Sequence, residues 1–145
     1  MTPRLDLPPE PHLPGMTPRP PEGYFDPVMR GLSADMTPDQ LAAHPAFDGG
    51  LQAMNRGYYW EAHELLEAVW MRLPPACAER YLVGGLIQIA NAGLKLRMGR
   101  ETAARKIMAL ADARLHEAFL HGQTSLMGLT AKEVSRHRMK ALASR

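Results

Sequence analysis

Cysteine is almost missing from this chain: Cys77 is the only one. A lone thiol closes no internal disulfide, which excludes covalent staples as the source of stability and makes a reducing cytosol the expected setting. Nor does any base stand beside Cys77 in sequence to make it a nucleophile. Aromatic residues are scarce, at 6%. No stretch of Val, Ile, Thr and aromatics alternates at period two, which removes β-strands from the expectation. No uninterrupted apolar run approaches the roughly 18 residues that a membrane helix needs. The opening residues, MTPRLDLPPEPHLPGMTPRPPEG, hold no apolar segment of the secretory kind. The expectation is a cytoplasmic protein with no membrane partner.

Charge of one sign is not in large excess either. The net value of +2 is too small to point to nucleic acid by itself. It is unevenly spread, however. Residues 1–94 carry 6 basic and 11 acidic groups (−5), and residues 95–145 carry 11 basic and 4 acidic (+7). Such a split marks either an anion-binding tail or, more commonly, halves that pack on each other or on a second subunit. The basic stretch KEVSRHRMKALASR, residues 132–145, lacks the stacking aromatics of a single-strand binder.

What is present in quantity is proline, and its placing divides the chain. Eleven of the 13 prolines fall at or before Pro45. Residues 1–36 hold repeated X-Pro units and little hydrophobic periodicity, so they read as an extended or disordered arm that can lie across the body or reach a neighbouring subunit. Residues 37–145 form one domain, long enough to bury a compact core. Thr37, Pro38 and Gln40 make a capping-box start for a short helix that ends before Pro45. Residues 46–57 are fit for about two further turns, closed by Gly57. Four clearer helices follow: 58–71, stopped by Pro74 and Pro75; 76–98, stopped by Gly99; 101–121, stopped by Gly122; and 130–142, opened by the Thr130/Glu133 box. Short connections favour antiparallel neighbours, and the expected fold is an all-α bundle of four to five helices.

Chemistry concentrates in YYWEAHELLEAVW, residues 58–70. At about 100° per residue, Tyr59, Ala62, Leu65, Leu66, Val69 and Trp70 fill one arc of the helix, and Trp60, Glu61, His63, Glu64 and Glu67 fill the other. His63 and Glu67, at i and i+4, converge on one point. A zinc-protease helix needs a second histidine where Glu67 stands, so that reading fails. A carboxylate-bridged di-iron site needs Glu three residues before His, and Trp60, Ala113, Ala118 and Val134 occupy those places. An H-x-x-x-E half-site survives. One imidazole and one carboxylate are too few for zinc, so other helices, waters or a second subunit must complete any metal site. The plain alternative is a local ion pair worth roughly 0.2–0.5 kcal/mol.

The next helix carries a broad apolar arc and a narrow strip of Arg80, Tyr81, Gly84, Gln88, Asn91 and Lys95. Gly84 and Gly85 each cost about 1 kcal/mol in a helix interior relative to alanine, which calls for a close packing partner or ligand. Buried amides left unpaired cost about 1–3 kcal/mol each, so Gln88 and Asn91 need partners. If the two polar strips face each other, they enclose a pocket of imidazole, carboxylates, amides and one ammonium. Asp112/His116 and Glu117/His121 are further i,i+4 pairs and read as helix-surface pairing. His12 and His44 look incidental.

NRGYYWEAHELLEAVW followed by GLIQIANAGLKLRMG resembles the domain of unknown function 309 family, over residues 46–115. The resemblance implies a small helical protein with an H-x-x-x-E-x-x-W motif associated with metal binding and with a metal-dependent hydrolase label. Carried over, the motif falls on His63, Glu67 and Trp70, with Glu64 beside them, and the glutamine of the second stretch falls on Gln88. Members often show Gly-Asn after the second helix, where this chain has Gly99-Arg100. On this reading a divalent metal ion is held by His63 and Glu67. Glu64 is a ligand or general base, and Gln88 and Lys95 orient the ligand. Trp60, Glu61, Trp70, Tyr81 and Asn91 line the pocket, and the occupant is a small molecule acted on by hydrolysis. The competing expectation is a non-catalytic interaction or homo-oligomerisation module in which the same residues form a buried polar network.

Overall fold

A computed structural model describes residues 5–144. Among the described residues there are seven helices: α1 (Asp26–Met29), α2 (Pro38–Ala43), α3 (Pro45–Asn55), α4 (Tyr59–Trp70), α5 (Ala78–Arg97), α6 (Glu101–Ala118) and α7 (Ala131–Leu142). The fold is all-α. The bundle proper is α3 to α7, with α1 and α2 as short outlying pieces. No described helix is long and apolar enough to cross a membrane.

Local chemistry explains most helix ends. Both expected capping boxes are formed: Thr37 with Gln40 opens α2 and Thr130 with Glu133 opens α7, each with reciprocal side-chain to backbone bonds. Gly57 adopts φ +79° and turns the chain between α3 and α4, a conformation that costs glycine little. α3 starts on a cap that composition does not advertise. His44 accepts from Ala46 N–H through Nδ1 (3.0 Å) and donates through Nε2 to the Arg30 carbonyl (2.8 Å).

α5 is the central rod. It packs on α4, α6 and α7, and twelve of its residues are buried, including Leu82, Val83, Leu86, Ile89 and Leu94. Its glycines permit the close approach. A Cβ on Gly85 would stand 2.7 Å from Leu115 of α6, and one on Gly93 would stand 2.8 Å from the Tyr59 ring of α4. That is the packing reason the interior glycines required.

The proline-rich arm is irregular over most of its described part, apart from α1. That part, residues 5–36, lies against α3 and α4. Tyr58 donates its hydroxyl to the Pro8 carbonyl (2.7 Å), and the His12 amide donates to Glu61 Oε2 (2.9 Å). Thr17 ties a loop by accepting from Leu13 N–H (2.6 Å) and donating to the Pro11 carbonyl (2.7 Å). Phe25 and Val28 pack with Leu65 in a small apolar cluster. Periodicity cannot reveal such a segment, because its anchoring bonds come from isolated polar atoms rather than from a repeating face.

Candidate functional site

α4 and α5, joined by the Leu73–Pro75 turn, do turn polar strips toward each other. His63, Glu67 and Trp70 of α4 and Gly84, Ile87, Gln88 and Asn91 of α5 line one open cleft of about 220 Å³, roofed on one side by Arg114 of α6. His63 Nε2 donates to Glu67 Oε2 at 2.8 Å, and the two side chains retain 29% and 46% exposure. Asn91 Nδ2 lies 3.4 Å from Gln88 Oε1, a long hydrogen bond. Neither pair is sealed from solvent, so ligand groups can reach all four. With Nε2–H committed to Glu67, the imidazole presents Nδ1 as an acceptor, the arrangement that orients a histidine for proton transfer.

Gly84 has a purpose in this geometry. A Cβ there would come within 3.1 Å of Arg114 Cδ and 3.4 Å of Trp70 Nε1. Its absence lets the arginine stem and the indole edge share the space above α5. Arg80 stacks its guanidinium 4.0 Å from the Trp70 ring centre and donates through Nη1 to the Leu73 carbonyl at 2.7 Å.

The other expected site residues fall elsewhere. Glu64, one residue and about 100° beyond His63 on the wheel, lines a separate hollow with Trp60, Arg19, Tyr24 and Asp26 beneath the arm. Trp60 there meets the His12 ring edge-on at 4.9 Å and Arg19 at 5.4 Å. Tyr81 lines a hollow adjoining the cleft. Lys95 lines neither, because it stands a full turn past Asn91 along α5. Glu61 was expected on the polar face and is instead fully buried. One oxygen holds the His12 amide, and among the described residues Oε1 has no hydrogen-bond partner. Burial, the dominant cause, raises the Glu61 carboxyl above its usual range against the opposing pull of the His12 amide bond. The arm covers it, and nothing in the helix pattern announces that cover. His12, expected to be incidental, is thus an anchor.

Two side-chain pairs of the third predicted helix also behave differently from expectation. Asp112 is held by Arg138 of α7 in a two-bond fork (2.7 and 2.9 Å) rather than by His116. Among the described residues, neither His116 nor His121 forms an ion pair with its i−4 carboxylate. Arg114 is the cleft residue that sequence reasoning missed. Its only advance signal is the basic excess of the second half, facing an acidic first half.

Fold and cleft together define a small helical bundle with a solvent-accessible polar cleft between two consecutive helices. Residues 47–107 match the family model described as Domain of unknown function (DUF309). The match includes every lining residue of the cleft except Arg114. No curated protein and no solved structure matches the chain.

Proposed function

We propose that the protein binds a small polar molecule in the α4–α5 cleft, with His63 as the proton-transferring group and Glu67 as its orienting partner. The observation that carries this reading is the convergence of His63, Glu67, Gln88 and Asn91 from two helices, with Arg114 from a third, on one 220 Å³ hollow. The amides supply directional donors and acceptors for the ligand, and the oriented imidazole supplies general acid–base chemistry. Hydrolysis of a small substrate is the reaction class this pair serves. The base role assigned from sequence to Glu64 passes to His63, since Glu64 opens onto another surface. The half-exposed His63–Glu67 pair disfavours a purely structural buried network.

A screen of polar metabolites by thermal unfolding tests the reading. A compound present at 100 times its Kd stabilises the fold by about 2.7 kcal/mol. The expected hit loses its effect in His63→Ala and Asn91→Ala, while both variants melt as one cooperative unit. If hits stabilise those variants as well as the parent, the cleft is not their site and the reading falls.

A second reading concerns the divalent metal ion that the family resemblance implies. His63 and Glu67 offer two donors. Among the described residues no group of three or more His, Cys, Asp or Glu side chains could hold an ion. Arg114 adds a positive charge to the same cleft. These residues do not fit a metal held by one chain. What favours the reading in another form is the exposure of both donors, which leaves them open to a second copy. Elemental analysis of untagged protein, with sedimentation before and after chelator, decides it. A metal-dependent dimer supports a shared site, and a metal-free monomer rules it out.

A further inference from the structure

The cleft does not end at Trp70. A second hollow of about 230 Å³, lined by Trp70, Pro75, Ala76, Arg80, Tyr81 and Arg114, adjoins it and shares both Trp70 and Arg114 with it. The two lining sets differ in kind. The first holds donors and acceptors, including the Glu67 carboxylate. The second holds two guanidiniums, a phenol and an indole edge, and no carboxylate.

Most of the donors there meet no acceptor among the described residues. Among the described residues neither Arg80 nor Arg114 forms an ion pair, and no hydrogen bond joins Trp70 Nε1–H to an acceptor. Arg80 is nevertheless held in place, stacked on Trp70 at 4.0 Å and bonded through Nη1 to the Leu73 carbonyl. That leaves most of its five N–H groups to offer. Gly84 brings the Arg114 stem beside the Trp70 indole nitrogen. The N-terminus of α5, a 20-residue helix, opens at the same edge and adds a partial positive charge. Glu79, in that first turn, lines neither hollow.

We propose that this second hollow is an anion subsite for a phosphate or phosphate-ester group. A cluster of donors with no carboxylate among them is completed by a group that offers only acceptors. Two full positive charges favour a dianion over a carboxylate, and guanidinium forks match phosphate oxygens. Trp70 lies seven residues beyond His63 on α4, about 10 Å along the axis at roughly 1.5 Å per residue. A phosphorylated small molecule therefore places its phosphate between Arg80 and Arg114 and its other polar end at His63, Gln88 and Asn91. This ligand class rests on the binding role proposed for the His63 cleft. The phosphate subsite itself does not.

Nuclear magnetic resonance titration of the full chain tests it, with the two indole N–H signals assigned through Trp60→Phe. The probes are inorganic phosphate and glycerol 3-phosphate, added at constant ionic strength with chloride as control. The expected result is a saturable shift of the Trp70 indole signal with both probes, with tighter binding of the ester. Arg114→Gln should weaken both at least about tenfold, the value of a charge-assisted hydrogen bond. Arg114 is exposed, so that change leaves the fold intact, and Arg114→Lys should restore part of the affinity. His63→Gln should leave phosphate affinity unchanged and weaken only the ester. If it weakens neither, the phosphate subsite stands and the reading of the His63 end falls. No saturable shift up to tens of millimolar, or equal binding by Arg114→Gln, overturns the proposal.

Discussion

Glu61 is the residue at which chemistry and burial are most opposed. Burial of a carboxyl whose second oxygen has no partner among the described residues raises its pKa, against the opposing pull of the His12 amide. A raised acid contributes stability in full below its unfolded value of about 4.5, and that contribution is lost as pH rises through the higher folded value. Glu61→Gln removes the ionisation but keeps an acceptor oxygen for the His12 amide. The melting temperature of the parent relative to Glu61→Gln is therefore expected to be highest in acid and to fall toward neutral pH. Unfolding scans across pH 4 to 8 check the sign, and a difference that does not vary with pH would remove the argument. Tyr58→Phe, which deletes only the hydroxyl bonded to the Pro8 carbonyl, should cost about 1 kcal/mol by denaturant unfolding.

At the level of the element, α5 shows how glycine sets helix separation. Ala in place of Gly gains about 1 kcal/mol of helix propensity, whereas overpacking costs about 1–3 kcal/mol. Gly93 faces the Tyr59 ring at 2.8 Å. That ring is 2% exposed and tethered by its hydroxyl to Ser144 Oγ at 2.5 Å, so it cannot yield. Gly85 faces the half-buried, flexible side chain of Leu115. Gly93→Ala should destabilise more than Gly85→Ala in chemical denaturation, despite equal propensity gains. For α7 the cap is the test. Thr130→Ala removes the side-chain acceptor for Glu133 N–H and should cost about 1 kcal/mol, or about 2–4 °C in a domain of this size.

For the molecule as a whole, the arm is a structural component of the bundle. It covers Glu61, meets the Trp60 indole through His12 and Arg19, and supplies Phe25 and Val28 to the cluster at Leu65. Deleting residues 1–20 should lower the melting temperature and shift Trp60 emission to the red, as the indole meets water. Retention of both properties would mean that residues 1–20 contribute nothing to the fold. The charge split between halves also finds a use at this scale. Arg114, of the basic half, reaches the cleft built on α4 and α5, where Glu67 of the acidic half stands.

Helix identity and much of the site were readable from residue order because they rest on local rules. The Thr37 and Thr130 boxes, the Gly57 turn and the period of Leu65, Leu66 and Val69 need only neighbours in the chain. The same locality placed His63 beside Glu67, and a short prolyl turn between two amphipathic helices was enough to bring Gln88 and Asn91 opposite them. What depended on distant parts of the chain was decided by tertiary structure alone. Glu61 and Glu64 share a helix face by period, yet an arm some 50 residues away buries the first and leaves the second at another hollow. Arg114 reaches the cleft because Gly84 leaves room for its stem, a coincidence of two helices that no spacing within either one encodes. Periodicity reports which face of a helix is turned inward, whereas the partner that arrives at that face is set by three-dimensional packing.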